Sequence, residues 1–165
     1  MNLLGALDIS ASALTAERQR AEVLASNLAN AQTTRTAKGG PYQRQLVVFR
    51  TRQAGGGGFR ALLSGFSDRY AQGVVVQQVV PDPTPPVQRY EPAHPDADSQ
   101  GYVAYPSINP VEEMVNLMGA ARSYELNVAA VQATKNMISA SLEILSRSEV
   151  NNGQSALGDF AARPG

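Results

Sequence analysis

The sequence predicts a mainly α-helical protein with a small β-rich insertion, whose N- and C-terminal helices pack as an antiparallel, coiled-coil-like pair. Apolar residues near the C-terminal end recur with a 3-4 spacing over several heptads, and a shorter run lies near the N-terminus. This spacing is typical of a helix that packs along another helix. Gly and Pro concentrate between about residues 39 and 110, which disfavours one compact core and favours a middle lobe of β-hairpin type. The expected parts are an N-terminal helix at 1–32, a β-rich middle lobe at 33–108, a C-terminal helix at 109–149 and a flexible tail at 150–165.

The N-terminal helix is expected from residue 3 to about residue 31, where good helix formers dominate. Asn30 and the turn-prone run 32–34 indicate its end. The side chains of Asn27 and Asn30 are expected to satisfy free backbone groups at this end and to bond across to a neighbouring subunit, with plain helix termination as the alternative. The apolar rows of this helix are Leu7, Leu14, Ala21 and Leu28, and, three residues earlier, Leu4, Ala11 and Ala25.

The middle lobe is expected to contain four short strands, because β-branched and aromatic residues cluster there between turn residues. The second strand is expected to bend between Gln77 and Gln78. The prolines from Pro81 to Pro86 indicate an extended edge or linker, since proline cannot donate a ladder hydrogen bond. The glycines at 55–58 predict a flexible loop, and the pattern of a phosphate-binding loop is missing. The strands are expected at 42–50, 74–80, 87–90 and 101–105.

The C-terminal helix is expected to open at Asn109-Pro110, because Asn is a favoured N-cap and Pro a favoured first helical residue. Glu112 stands three residues after Asn109, where it completes a pattern resembling a capping box. Glu112 and Glu113 also suit the positive end of the helix dipole. The helix is expected to end between Ser146 and Glu149, before the polar run 151–153.

Two rows of residues define the predicted packing seam of this helix. Lys135 is the one interruption: it either sets the register of packing or snorkels to solvent, and we favour snorkelling. Tyr124 is expected in the core with its hydroxyl at the rim. The rows are Met114, Ala121, Val128, Lys135 and Leu142, and, three residues later, Leu117, Tyr124, Val131, Ile138 and Leu145.

Groups that carry chemistry near neutral pH are scarce, so we expect no catalytic, cofactor-binding or metal-binding residues and no enzyme. The chain has no cysteine, which excludes disulfides and thiolate sites. Its one histidine, His94, stands near Asp96 and Asp98 in a Pro-rich loop, where a solvated turn is favoured over a metal site. Adjacent helical residues point about 100° apart, so Glu112 and Glu113 are better explained by helix-start electrostatics than by catalysis.

The formal net charge is zero, which gives no reason to expect nucleic acid as a partner. The charge is uneven, with nine basic against two acidic residues over 18–69 and seven acidic against two basic over 82–125. These regions are either solvated surfaces or complementary patches between neighbouring copies. No apolar run is long enough to span a bilayer, so no membrane insertion is expected. The N-terminus lacks a basic leader and Asp8 interrupts its apolar run, so no cleaved secretory signal is expected.

The segment 25–30, Ala-Ser-Asn-Leu-Ala-Asn, resembles the end of the N-terminal helix in the flagellar rod and hook axial proteins. The resemblance continues through 40–42, 47–49, 90–92 and 98–103, and then through Glu-Met-Val-Asn at 113–116, Ala-Arg-Ser-Tyr at 121–124 and Asn-Val at 127–128. Within this family the chain looks most like a proximal-rod subunit. The longer loop from Thr33 to Tyr42, Glu125-Leu126 before Asn127 and the tail after Arg147 depart from the family pattern.

The resemblance implies a structural subunit of the bacterial flagellar motor that is exported unfolded through the flagellar type III apparatus. It implies assembly in the periplasm, with other copies and other rod proteins, into the rod that transmits torque between the membrane-ring and export-gate junction and the distal rod. The lack of cysteine suits a chain threaded unfolded into an oxidising space. The alternatives are another rod subunit, a cytosolic coiled-coil adaptor or export chaperone and, least favoured, an enzyme.

We expect the terminal helices to be mobile before assembly and to become ordered in the polymer, where burial contributes roughly 25 cal/mol per Å² of apolar surface. Arg122 either forks onto a carboxylate of an adjacent subunit or stays exposed and unpaired. The middle lobe is expected to project from the outside of the rod and to contact neighbouring subunits rather than a small molecule. The predicted assembly interface comprises Leu7, Leu14, Ser26, Asn27, Leu28, Asn30, Met114, Leu117, Ala121, Arg122, Tyr124, Asn127, Val128, Val131, Ile138, Leu142 and Leu145.

Overall fold

A computed structural model describes residues 3–52 and 73–161 of the chain. These residues form two helices and two antiparallel β-hairpins, which confirms a mainly α fold with a small β-rich insertion. The glycine loop predicted at 55–58 lies outside the described residues. In chain order the elements are α1 (Leu3–Ala29), β1 (Gln45–Thr51), β2 (Val74–Pro81), β3 (Val87–Tyr90), β4 (Tyr102–Tyr105) and α2 (Pro110–Ala161).

The two helices pack side by side and run in opposite directions. Asn27, near the end of α1, bonds to Glu113, near the start of α2. α1 therefore runs toward this contact, and α2 runs away from it beside α1. The predicted antiparallel pair is therefore confirmed. The start of α2 is also as predicted, because the Asn109 side chain accepts a hydrogen bond from the Val111 N–H at 3.1 Å. The Glu112 carboxylate lies instead near Arg44, at 3.6 Å.

The helices differ in length, with 27 residues in α1 and 52 in α2. At 1.5 Å per residue they span about 40 Å and about 78 Å, so the start of α1 lies beside roughly residue 137 of α2. The predicted end of α2 between Ser146 and Glu149 is wrong, since its backbone stays helical to Ala161 through part of the predicted tail. A single Gly costs a helix only about 1 kcal/mol, so Gly153 weakens the helix without ending it.

The β1–β2 hairpin lies along α1. The Val74 N–H donates to Ser12 Oγ at 3.0 Å, and a side chain at Gly73 would collide with Ser12. Val48 pairs with Gln78 and Phe49 with Val76, which leaves Gln77 as the extra residue of a bulge. A bulge bends its strand, so the predicted bend at this position is confirmed.

The β3–β4 hairpin packs through β4, where Val103 is fully buried, while the residues of β3 are exposed. Its loop is closed by Asp98, which accepts hydrogen bonds from the N–H groups of Gln100 and Tyr102. Thr34, after the end of α1, donates to Asp96 of this loop at 2.7 Å. The hairpin is thereby tied to the segment that leaves α1.

Neither helix, over the described residues, is both long enough and apolar enough to cross a membrane.

Candidate functional site

The face of α2 that packs on α1 is made mostly of small and polar residues. Glu113, Ala120 and Thr134 are buried at seven-residue spacing, and Asn127 completes their row as a half-buried residue. Small side chains let two helices approach closely. A second row beside it holds the half-buried Leu117, Val131 and Ile138, which are members of the predicted seam.

The other predicted row on α2 starts one residue too late to face α1. Met114, Ala121, Lys135 and Leu142 are all exposed, and only Val128 of that row is half-buried. Tyr124 is also exposed rather than in the core. One residue rotates a helix by 100°, and Glu113 rather than Met114 takes the inward position because its carboxylate is bonded by Asn27 and Arg44.

The predicted interface residues thus divide into three groups by burial within one chain, and their contact with another subunit stays a prediction. Asn27 is buried. The half-buried group is Leu7, Leu14, Leu28, Asn30, Leu117, Asn127, Val128, Val131 and Ile138, and the exposed group is Ser26, Met114, Ala121, Arg122, Tyr124, Leu142 and Leu145.

Asn27 is the hub of a buried polar junction between α1, β1 and α2. Its Nδ2 donates to the Gln45 carbonyl at 2.9 Å and to Glu113 Oε2 at 3.0 Å. Its Oδ1 accepts from the Gln45 N–H at 2.8 Å and from the Tyr42 hydroxyl at 3.1 Å. An Asn side chain offers two donors and two acceptor lone pairs, so all four positions are used within the chain.

Asn30, the other asparagine of the 25–30 motif, acts locally. Its Nδ2 donates to the Ser26 carbonyl at 2.9 Å, and its Oδ1 accepts from the Thr33 hydroxyl at 3.1 Å. It therefore terminates α1, one of the two uses expected for this pair. Asn27 instead fixes α1 to two other elements, which the sequence reasoning did not foresee.

Arg44 completes this junction by pairing with Glu113, whose side chain is only 1% exposed. Arg44 Nε donates to Glu113 Oε1 at 2.8 Å, and the guanidinium lies 3.6 Å from both Asp82 and Glu112. Burial alone would lower the pKa of Arg44, but the hydrogen bond and charge of Glu113, with the charges of Glu112 and Asp82, raise its pKa above the ordinary value of an arginine. A buried carboxylate needs such a partner, because desolvation of an unpaired charge is costly.

The uneven charge found in the sequence is matched inside the chain. Arg44, from the basic region, pairs with Asp82 and Glu113 of the acidic region, and Arg35 pairs with Asp96 at 3.4 Å. Hydrogen bonds from Thr84, with the charge of Arg44, lower the pKa of Asp82. The sequence predicted either solvated surfaces or complementary patches between copies, and neither interpretation included these pairs within one chain. Arg44 and Asp82 gave no local signal, since their partners lie far along the chain.

His94 and its acidic neighbours form a turn. His94 Nδ1 accepts from the Asp96 N–H at 3.1 Å, and the hydrogen bond from Thr34, with Arg35 beside it, lowers the pKa of Asp96. Over residues 3–52 and 73–161 no group of three or more His, Asp or Glu side chains is arranged to hold a metal ion.

The face of α2 turned away from α1 carries a continuous apolar row, here called the outer stripe. Met118 is 67% exposed and Leu126 is 65% exposed. Arg122 is the one charged member, and no acidic side chain in the described part of the chain forms an ion pair with it. The spacing of three and four residues keeps all members within about one third of the helix circumference. The stripe comprises Val111, Val115, Met118, Arg122, Leu126, Ala129, Ala133, Met137, Ala140 and Ile144.

The stripe was missed by the sequence reasoning except for Arg122, although its 3-4 spacing was the available signal. Two overlapping periodic rows on one helix cannot be ranked as inward or outward by spacing alone. The outer face of α1 is different, since apart from the exposed Leu4 it carries small and polar residues such as Ala11, Arg18, Glu22 and Ala25.

An open groove of about 340 Å³ lies between α1 and the β1–β2 hairpin. Val79, on its wall, is exposed, and Tyr42 at its end is shared with the Asn27 junction. The groove is lined by Gln19, Glu22, Val23, Ser26, Tyr42, Gln45, Val76 and Val79.

Both ends of the chain match family models of flagellar rod proteins. Residues 7–35 match the model for "Flagella basal body rod protein", which covers most of α1 and the Asn27 and Asn30 motif. Residues 99–144 match "Flagellar basal body rod FlgEFG protein C-terminal", which covers β4 and most of α2. The two matched segments are those that meet at the buried junction.

Several curated proteins named flagellar basal-body rod protein FlgC are similar over nearly the whole chain. The one from Borreliella burgdorferi is 37% identical over 150 residues, covering 88% of this chain and 99% of that protein. The one from Bacillus subtilis is 40% identical, covering 87% of this chain and 99% of that protein. The one from Escherichia coli O6:H1 is 41% identical, covering 84% and 94% respectively. The resemblance inferred from the motifs is confirmed.

Proposed function

The chain belongs to the flagellar basal-body rod protein FlgC family, and on that premise we propose that it is a structural subunit of the proximal rod. It polymerises through α1 and α2 into the shaft that transmits torque. It has no enzymatic role. The family match to both terminal helices supports this proposal, since these are the segments expected to make the polymer.

The outer stripe of α2 is the observation that carries the polymerisation step. Large apolar patches on the surface of a folded chain usually mark an interface with another molecule. Each apolar side chain that passes from exposed to fully buried contributes about 1.5–3 kcal/mol. A row with members such as Val115, Met118 and Leu126 therefore favours association strongly once subunits are aligned.

The partners are other copies of this chain and other rod proteins, with the membrane-ring and export-gate junction on one side and the distal rod on the other. The subunit reaches the periplasm through the flagellar type III apparatus. A thin core supports passage in an unfolded form: among the described residues only Ala16, Leu24, Val103 and Ala120 are buried apolar residues. So small a core makes the free chain only marginally stable before assembly. The helix pair is then ordered fully by its neighbours in the rod.

Deletion of the gene in its motile host, with a plasmid copy as control, tests the proposal. We expect loss of hooks and filaments in electron micrographs and recovery with the unsubstituted plasmid. A plasmid carrying Met118→Glu should fail to restore them, because a charge in the outer stripe cannot be buried without a partner. Met118→Leu is the matched control and should restore them, since it keeps the volume and the apolar character. Normal flagellation in the deletion strain would overturn the proposal.

A further inference from the structure

We propose that the outer stripe of one copy docks into the groove between α1 and the β1–β2 hairpin of a second copy. The inference rests on the proposed function, because it names the surface that the polymerising helix meets. It gives the middle lobe a place in the interface rather than only on the outside of the rod.

The groove is open and combines an apolar wall with polar residues. Val23 of α1 and Val76 and Val79 of β2 form its apolar wall, and the groove is about 340 Å³. Val79 pairs with Val47 across the hairpin but keeps 45% of its surface exposed. An exposed apolar side chain in a concave site is the usual arrangement where an amphipathic helix lies in a groove.

The stripe supplies the anchors that such a groove takes. Val115, Met118 and Arg122 stand at positions i, i+3 and i+7 of α2, which is the spacing of anchors in helix-in-groove recognition. All three are exposed and lie on the side of α2 that faces away from α1. The stripe is thus free to enter a groove without separating the two helices of its own chain.

Charge on the two surfaces selects this pairing. Arg122 is the one charge in the stripe, and Glu22 is an acidic residue in the groove lining. Glu22 is exposed and pairs with Arg18 within α1 at 3.0 Å. Exposed pairs of this kind contribute little to stability, so Glu22 can exchange Arg18 for Arg122. The planar guanidinium of Arg122 can then bond a carboxylate through two N–H groups.

The pairing also explains an open polymer. The stripe and the groove are different surfaces of one chain, so each docked copy still presents one free stripe and one free groove. Contacts between unlike surfaces continue from copy to copy and generate rings or open helical assemblies. A shaft requires this type of contact.

Cysteine cross-linking in assembled rods tests the contact directly, because the chain has no native cysteine. Chains carrying Val79→Cys and chains carrying Met118→Cys are produced together in the deletion strain, and isolated basal bodies are oxidised. We expect a disulfide-linked dimer containing one chain of each kind. Lys135→Cys with Val79→Cys is the matched control and should give none, since Lys135 is exposed on α2 but lies about 26 Å along the axis from Met118.

Charge reversal gives an independent readout. Arg122→Glu and Glu22→Arg should each reduce the number of flagella per cell by about tenfold or more, because each places like charges together. A chain carrying both substitutions should recover flagella. If rods assemble from the cysteine variants without the expected dimer, or the double reversal fails to recover, the docking inference is overturned while the rod function stands. If the unsubstituted plasmid copy does not enter basal bodies at all, the proposed function itself fails.

Discussion

The two helices of this protein are partners in one pair, yet they meet their surroundings in different ways. α1 is covered on one side by α2 and on another by the β1–β2 hairpin, and its remaining face is mostly small and polar, with Leu4 as an exposed large apolar residue. α2 is covered on one side only, and its opposite face carries the apolar outer stripe. The helix with the richer apolar pattern in the sequence is therefore the one that exposes more of it. The apolar periodicity of α2 therefore does not by itself distinguish the face packed on α1 from the exposed face.

The junction at Asn27, Arg44 and Glu113 should be the strongest tie between the two helices. Glu113→Ala leaves the Arg44 guanidinium without its closest partner, and we expect the free energy of unfolding to fall by about 3 kcal/mol. Urea unfolding of the purified chain, followed by circular dichroism, measures it. Glu112→Ala is the matched control, because Glu112 is 59% exposed and should change stability by less than about 1 kcal/mol. Equal effects at the two positions would show that the junction does not hold the helices together.

The two asparagines of the 25–30 motif differ in how much they stabilise the position of α1. Asn27→Ala removes four hydrogen bonds and leaves buried groups of Gln45 and Glu113 unsatisfied, so we expect a loss of about 2–3 kcal/mol. Asn30→Ala removes a local helix-end interaction and should cost about 1 kcal/mol or less. The same urea measurement ranks the two. A larger loss for Asn30 would mean that helix termination dominates the motif.

Adjacent alanines in α2 test which row faces α1. Ala120 is buried against α1, so Ala120→Leu should overpack the contact and cost about 1–3 kcal/mol. Ala121 is exposed, and Ala121→Leu should change stability by no more than about 0.5 kcal/mol. Thermal unfolding of both variants decides between them. A larger loss of stability for Ala121→Leu than for Ala120→Leu would mean that the row starting at Met114 faces α1.

The smallest expected effect is the dependence of stability on pH at the contact between the middle lobe and the end of α1. The hydrogen bond from Thr34 lowers the pKa of Asp96 in the folded chain below its ordinary value of 3.8. The ionised form is thus the one that stabilises the fold: its contribution is present above about pH 4 and is lost as pH falls toward the folded pKa. Unfolding free energies measured between about pH 3 and pH 6 should fall less steeply for Asp96→Asn and for Thr34→Val. An unchanged slope in both variants would show that this contact does not contribute to the loss of stability at low pH.

Much of the local structure follows from the sequence because its causes lie within a few residues. Asn109 caps α2 through a bond to a residue two positions away, and the bend in β2 falls where two glutamines interrupt a run of valines. The end of α2 was predicted less well. A polar run with one glycine favours a stop, but the penalty is too small to decide it.

The two terminal helices, the four strands and the antiparallel helix pair follow from the sequence alone, and so does the flagellar rod family, through the motif at 25–30 and the motifs in α2. The packing of the folded chain is needed to see which face of α2 turns inward, which groups Asn27 bonds and where Arg44 finds its partner. Glu113 lies 86 residues from Asn27 and 69 from Arg44, so no periodic pattern links them. Helix formation depends on neighbours along the chain. The rotation of a helix about its axis depends on buried polar groups, which must find hydrogen-bond partners on the adjacent elements.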